Sequence, residues 1–335
     1  MKEEGRNKEY DCIAGVSGGL DSSYALYKVK NLGLRPLAVH LDNGWNSELA
    51  VSNIEKLCGG LKVDLFTQVI DWDEFRDLQR SFFKAKVIDI ELLTDHAIVS
   101  LLYKVASRRR VKYLLAGTNF NNEGMRIPPS WNHFKLDARN ILAIHKKFGN
   151  GKRIKTFPLM GLAEYYRHLY LDRINWISIL DYMAYEKDDA IKTLGTEAGW
   201  RPYEKKHYES VFTRFYQGYI LPVKFNVDKR KVHYSTLICS GQMTREEALE
   251  LMKKPAYADA ALLAEDKKFV LKKLGFSEDE FREYLDSSAV PHAAYASSVK
   301  LYYRLQRIAA LIQRLVDRFV PARNAGEDKK MKRWI

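Results

Sequence analysis

The sequence predicts an α/β protein, a parallel sheet with helices on both faces followed by a mostly helical C-terminal region. Three observations carry that expectation. Over residues 12–117, apolar runs of strand length alternate with longer segments of helical period, the pattern of a parallel sheet covered on both faces. Three strand ends run into Gly, Asp, Asn or Ser, the residues that supply turns and helix caps. From about Trp200 the composition shifts to Tyr and basic residues in helical segments. A chain of 335 residues is long enough for two domains, expected at 1–199 and 200–335.

The elements follow in order. Residues 1–9 are polar and read as a loose lead-in. Residues 12–16 form a first buried strand, broken at Ser17-Gly18-Gly19, and Asp21-Ser22-Ser23 opens a helix. A second strand at 35–41 ends in Asp42-Asn43-Gly44-Trp45, and Ser47 caps a helix reaching Leu57. Residues 62–70 are a third strand, 72–84 and 89–107 are helices, and 111–117 is a fourth strand. Pro128-Pro129 stiffens a loop to His133, and a helix is expected over 135–148, stopped by Gly149-Asn150-Gly151. Residues 156–161 and 175–185 read as further short strands or connectors. In the last third, Thr244 with Glu247 has the spacing of a capping box, and helices are expected at 259–274, 277–285 and 297–320. The tail at 329–335 is basic with an apolar end. It reads as a frayed terminus before it reads as a contact for anionic lipid.

Under this topology the ligand lies at the carboxyl ends of the strands, where 17–23, 42–44 and 117–119 open into one crevice. The first end is strand, glycine turn and helix start, which aims backbone N–H groups and a helix N-terminus at one point and favours an anion. Gly18 and Gly19 let the backbone come close, Ser17 and Ser22 add hydroxyls, and Asp21 holds a metal or caps the helix. The spacing matches neither of the common glycine-rich phosphate motifs. At the second end, Asp42 and Asn43 suit ribose or adenine. Gly117 and Thr118 at the third let the backbone approach a nucleotide, and Glu123 is a candidate Mg²⁺ ligand. His133, Lys135 and Asp137 lie just after that third end, with Asn132 beside them, and are candidates to face the crevice.

Composition narrows the partners. Hydrophobic content of 46% is that of a globular protein, and a formal charge of +13 points to an acidic partner without choosing among nucleotide, nucleic acid, sugar or lipid. Cys12, Cys58 and Cys239 are far apart and in no metal-ligand spacing, so neither a disulfide framework nor zinc is expected. No apolar run reaches the roughly 18 residues of a membrane span, and no signal peptide precedes the first strand. A cytoplasmic protein without stable membrane insertion is expected.

Ser17-Gly-Gly-Leu-Asp21-Ser22 resembles the pyrophosphate loop of the ATP pyrophosphatases, which split ATP into AMP and pyrophosphate. That resemblance implies a HUP-type (adenine nucleotide alpha hydrolase-like) sheet and an ATP site at Val16, Ser17, Gly18, Gly19, Asp21, Ser22, His40, Asp42, Asn43, Gly117 and Thr118, with Mg²⁺ on Asp21 and Glu123. Later blocks extend it. Asp137-Ala-Arg139, Ile144-His145, Phe148-Gly149 and Lys155-Thr-Phe-Pro158 are similar to the N-acetyl sugar amidotransferases of bacterial surface-polysaccharide (O-antigen) synthesis. So are Lys206-His-Tyr-Glu-Ser210, Phe212-Thr-Arg-Phe-Tyr-Gln217, Asp228-Lys-Arg230 and Ser240-Gly-Gln-Met-Thr-Arg-Glu-Glu-Ala248. The likeness covers residues 10–251. Members of that family often carry a Cys-rich segment before the first strand, for which this sequence begins too late: either this branch lacks it or the chain is shortened. Beyond Leu251 the match fades.

This resemblance implies that an acetamido group on a UDP-linked sugar or uronic acid becomes an acetamidino group. Adenylating the amide oxygen makes AMP the leaving group, so that ammonia can attack. Asp21, His207 and Lys135 are the candidate catalytic residues. Asn132, His133, Lys135, His207, Arg214, Lys229 and Arg230 are the candidates for sugar carboxylate and diphosphate, where Arg forks suit bidentate contacts. No cysteine sits at an exposed N-terminus or in a sharp Gly-x-Cys-x-Gly elbow, so ammonia is expected from a separate class I glutaminase, with a cyclase-like conduit as a further partner. Two other readings fit the loop: a tRNA-modifying enzyme, which would equally use +13, and a non-catalytic ATP-binding module. No reactive Cys pair for thiolation is evident, so nucleic acid is the less favoured partner.

Overall fold

Alternate residues of β1 (Cys12–Gly15) point to opposite faces of the sheet, and both faces are covered. Ile13 belongs to one apolar cluster, with Leu37, Val39 and Leu114, whereas Cys12 and Ala14 belong to another, with Ala38 and Leu115. This computed structural model describes residues 1–120, 124–203, 208–257 and 259–319. In it β1 is the centre of a five-stranded parallel sheet of order β3-β2-β1-β4-β5, with β2 at Pro36–Asp42, β3 at Asp64–Val69, β4 at Tyr113–Ala116 and β5 at Asn175–Ser178. Ile13 sits opposite Leu37 on one side and Leu114 on the other. The strand order reverses between β1 and β4, which places the ligand crevice at their carboxyl ends. The fold is the expected α/β arrangement, a parallel sheet with helices on both faces and a helical C-terminal region.

Helices α2 (Leu20–Asn31) and α3 (Glu48–Leu61) cover one face with Leu26, Val29, Ile54 and Leu57. Helices α4 (Trp72–Ala85) and α5 (Leu92–Arg108) cover the other with Phe75, Leu78, Phe82 and Leu101. Each such side chain stabilises the fold by about 1.5–3 kcal/mol when buried. The cluster that holds Ile13 also takes Phe212, Phe215, Tyr216, Ile220 and Leu221 from beyond position 200, so one core runs through both halves of the chain. Among the described residues no helix is long and apolar enough to cross a membrane.

Several boundaries differ from expectation for identifiable reasons. The lead-in contains a helical turn, α1 (Lys2–Gly5), tied to the start of β4 by Lys112 and Tyr113, both of which donate to Glu4. Helix α5 starts at Leu92 because the buried Asp89 carboxylate takes Lys135 Nζ at 2.6 Å and His133 N–H at 2.8 Å instead of capping. The helix expected from Lys135 begins at Ala138, because Asp137 caps it by accepting from Asn140 N–H. Residues 156–161 form no strand: the Glu74 carboxylate accepts the N–H groups of Lys155, Thr156 and Phe157 that a sheet partner would take. The 175–185 segment divides into β5 and a 3₁₀ turn, Ile179–Tyr182. Helices Leu162–Tyr170 and Lys187–Ala198 were not anticipated.

The C-terminal region is helical, as its periodicity predicts, with longer helices at Arg230–Cys239, Arg245–Lys253, Ala260–Leu274, Glu278–Asp286 and Val299–Phe319. The Thr244–Glu247 capping box is present, and Ser277 with Glu280 forms a second.

Candidate functional site

Gly18 adopts a left-handed backbone (φ 80°), and a Cβ there would lie 2.6 Å from the Ala50 carbonyl oxygen in the first turn of α3. The turn after β1 thus presses on the helix after β2, and glycine is required on both grounds. Ser17 Oγ lies 3.1 Å from Ser22 Oγ, Ser17 N–H donates to Ser22 Oγ at 3.2 Å, and Ser22 Oγ–H reaches the Gly19 carbonyl at 3.2 Å. The loop is therefore folded on its own hydroxyls against the N-terminus of α2.

Gly117, just past β4, closes the other side of the crevice. A Cβ there would lie 2.5 Å from both the Asp21 carbonyl carbon and the Ser22 nitrogen, so only glycine allows the loop after β4 to touch the first turn of α2. Thr118 Oγ1 then meets Ser178 Oγ of β5 at 2.7 Å. Two of the three strand ends are in direct contact. Glu123 and His207 lie outside the described residues.

The remaining strand end, that of β2, is ordered by a histidine. His40 is buried and donates from Nδ1 to the Val16 carbonyl at 2.9 Å, while Nε2 accepts from Asn46 Nδ2 at 3.1 Å. Burial lowers its pKa, so the neutral imidazole with the proton on Nδ1 is the form in place. Asp42 Oδ1 accepts from Gly44 N–H at 2.8 Å and faces Asn46 Nδ2 at 3.4 Å. Asn43 is buried, receives Trp45 N–H and donates to Thr94 Oγ1 at 3.0 Å, so it ties the end of β2 to the first turn of α5.

Beside that turn stand two of the sequence-predicted substrate residues. Lys135 Nζ is 2.6 Å from Asp89 and 2.9 Å from Asp95. Burial alone would lower its pKa, but the two carboxylates outweigh it and hold the ammonium protonated well above the usual lysine range. That removes Lys135 as a proton acceptor near neutral pH. Lys229 lies 3.8 Å from Glu91, which also accepts from Gln217 Nε2 at 3.0 Å. His133 stacks on His292 at 4.2 Å and bonds the buried Asp137 at 2.8 Å. Asn132 is the half-buried residue before it.

Two arginines sit apart from this group. Arg214 makes a two-pronged pair with Asp266, both bonds 2.7 Å, with its side chain mostly buried. Arg230 spends Nε and Nη2 on Asp228 and aims Nη1 at the carbonyls of Leu251, Lys254 and Pro255, where it caps the end of a helix. Both guanidinium groups are engaged by protein acceptors.

Other groups at the crevice come from far along the chain. Tyr185 donates to Asp21 Oδ1. Trp200 Nε1 and Tyr203 Oη–H both donate to the Gly18 carbonyl, each at 3.0 Å. Ser210 bridges antiparallel to Asn46, Ser47 N–H donates to the Glu209 carbonyl at 2.9 Å and Val211 N–H to the Trp45 carbonyl at 3.0 Å. A Cβ on Gly19 would lie 3.4 Å from Glu209 Oε1, so this carboxylate stands beside the loop. Lys273 donates to the Gly44 carbonyl and lies over the Trp45 and Trp72 rings. Glu209 and Ser210 stand in a block that the family resemblance singles out, but no local signal marks Tyr185, Trp200, Tyr203 or Lys273, because each lies more than 160 positions from the residue it meets and is brought in by packing.

Residues 209–309 match the family model described as LPS biosynthesis protein WbpG-like, C-terminal domain, which is less than a third of the chain. No curated protein matches. Among solved structures, the chain resembles the NH3-dependent NAD synthetase from Campylobacter jejuni (13% identity, 86% of this chain and 93% of that one, TM-score 0.31). It also resembles NMN synthetase from Francisella tularensis (15%, 78% and 90%, TM-score 0.33) and the U34-tRNA thiolase NcsA from Methanococcus maripaludis (11%, 70% and 73%, TM-score 0.36). Likeness at these scores assigns neither activity nor substrate.

Proposed function

We propose that this chain, which belongs by its C-terminal domain to the WbpG-like proteins of lipopolysaccharide biosynthesis, is an ATP-dependent, AMP-forming amidotransferase. It would convert the acetamido group of a UDP-linked N-acetyl sugar or uronic acid to an acetamidino group. One observation carries the reading: the first residues of the WbpG-like domain, Glu209 and Ser210, lie against the turn after β1 and the loop after β2. The domain that the family reading ties to the sugar therefore meets the loop suited to phosphates at one crevice.

The cradle fits a nucleotide triphosphate on two counts. Gly18 and Gly117 stand where a Cβ would collide with backbone, and the turn opens onto the N-terminus of the 12-residue helix α2. In this reading Ser17, Gly19 and Ser22 bind the phosphates that leave as pyrophosphate. Mg²⁺, when bound, would neutralise charge on those phosphates, with Asp21 and Glu123 the candidate residues to hold it. The acetamido oxygen takes the adenylyl group, ammonia adds to the imidate carbon, and AMP leaves with that oxygen. Lys135, kept charged by Asp89 and Asp95, would bind an anionic group of the sugar and not move a proton, and Lys229 would do the same by exchanging Glu91.

The ammonia is proposed to come from a separate class I glutaminase, through a cyclase-like conduit. Burial pushes the Cys12 thiol up to about 12 and the Cys58 thiol up to about 11, which suits core residues and not a nucleophile.

The test is nucleotide product analysis with Mg-ATP, an ammonium salt and a panel of UDP-N-acetyl sugars and uronic acids. AMP and pyrophosphate formed with one sugar, and that sugar lighter by the exchange of O for NH, is the expected result. AMP formed on adding bulk tRNA and with no sugar would overturn it.

A further inference from the structure

The helix Val299–Phe319 is the last described element, and among its described side chains one edge packs on the body. Tyr302 is buried and stacks on Phe134 at 4.2 Å, and Leu305 and Ala309 follow on the same edge at half-burial. The next stripe around the helix is apolar and open to water: Leu301, Ile308 and Ile312 are 53%, 54% and 55% exposed, and at a spacing of i, i+7 and i+11 they share one face. Beyond them the helix is cationic. Lys300, Arg304, Arg307 and Arg314 are all exposed on the adjoining side, and in the sequence of the helix five Lys and Arg stand against one acidic residue, Asp317. Leu311, 58% exposed, lies among those cations.

We propose that this helix lies flat on an anionic lipid surface, its open apolar stripe at the acyl boundary and its cations at the headgroups. The arrangement is that of an interfacial helix: a single apolar row, a flanking row of Lys and Arg, and too little apolar length to span. Charge selects this occupant over a second copy of the chain, because two such helices facing each other would bring cation rows together without acidic partners. The basic tail at 329–335 has the same sign. The inference does not depend on the reaction at the crevice.

The test is co-sedimentation of the full chain with vesicles of neutral phosphatidylcholine and with vesicles carrying a third phosphatidylglycerol. The chain is expected to pellet with the anionic vesicles alone, and to be released by high salt. Leu301→Asp with Ile308→Asp, and separately Arg304→Gln with Arg307→Gln and Arg314→Gln, should each reduce the bound fraction at least tenfold while circular dichroism and melting stay unchanged, since all five side chains face solvent. A chain that stays in the supernatant overturns the proposal. So does binding that survives both variants and is lost when residues 329–335 are removed, which would assign it to the tail. A monomer–dimer equilibrium in ultracentrifugation that is abolished by Ile308→Asp, without vesicle binding, would make a second copy the occupant.

Discussion

Tyr185 donates its hydroxyl to Asp21 Oδ1 across 164 residues of chain. The bond fixes the carboxylate at the first turn of α2, beside the glycine loop, and Tyr185 itself is held by ring contact with Tyr24 at 5.6 Å. Phenylalanine would keep that packing and lose only the donor. A hydrogen bond to a charged group contributes about 1.5–3 kcal/mol. Tyr185→Phe is therefore expected to lower AMP formation by about tenfold to a hundredfold and to raise the Mg²⁺ concentration needed for half-maximal rate, with little change in melting. An unchanged Mg²⁺ dependence would reduce Tyr185 to a packing residue.

Gly117 allows a sharper test, because the collision is with backbone. A Cβ at 2.5 Å from the Asp21 carbonyl carbon and the Ser22 nitrogen must push α2 away from the loop after β4, and overpacking of this kind costs about 1–3 kcal/mol. Gly117→Ala is expected to lower the melting temperature and to abolish ATP binding by calorimetry. Gly161→Ala is the control, since no atom lies within 4 Å of its added Cβ. ATP affinity equal in the two variants would sink the crevice assignment.

Arg214 was expected at the sugar, and the structure gives it a partner of its own. Arg214 and Asp266 form both bonds at 2.7 Å with 13% and 7% side-chain exposure, and Tyr257 donates to the same carboxylate. Breaking one member of a buried pair leaves the other charge unpaired, at about 3–5 kcal/mol. Arg214→Ala should therefore unfold at markedly lower denaturant, and the Arg214→Leu, Asp266→Leu double variant should recover much of the loss. A stable Arg214→Ala protein with a raised KM for the sugar would instead make it a substrate contact.

How much of this was legible in the sequence depends on range. The turn after β1 was readable because Gly18 and Gly19 sit between an apolar run and Asp21-Ser22, a local pattern with a local cause. The parallel order followed from alternation, and Gly117 from its place at a strand end. The wall of the crevice was not readable. Tyr185, Trp200, Tyr203 and Lys273 reach it only through tertiary packing, and nothing in their neighbours distinguishes them from other aromatics and lysines of the same region. The same limit explains Arg230 and Asp137: both stand in blocks that suggested a substrate site, yet the first caps a helix end and the second caps a helix start while receiving His133, Ser297 and Ser298. Sequence marks that such residues matter, but their partners decide how.

The last prediction concerns acid. His96 donates from Nδ1 to the Lys135 carbonyl at 2.8 Å and accepts Met160 N–H on Nε2 at 3.1 Å, and His292 is arranged alike, with Nδ1 on Asn140 Oδ1 at 2.7 Å and Asp89 N–H on Nε2 at 3.3 Å. In both rings the second nitrogen already accepts an N–H, so a second proton would face a donor. Burial lowers the two pKa values to about 4 and about 3. The unfolded chain takes these protons near pH 6.5 and the folded chain does not, so stability is full above pH 6.5 and falls as pH drops towards 4. Each ring then contributes a slope of about 1.4 kcal/mol per pH unit. The carboxylates held low by partners, such as Asp11 beside Arg35, are lost only below about pH 4, so the window from 6.5 to 4 belongs to the histidines. Denaturant unfolding as a function of pH should show this slope, and His96→Gln, which keeps a donor and an acceptor, should reduce it by the share of one ring, with His292 and the buried His40 left to titrate. A flat profile between pH 6.5 and 4 would mean that the folded rings take up the second proton as readily as the unfolded chain does, against the burial and the N–H contacts read here.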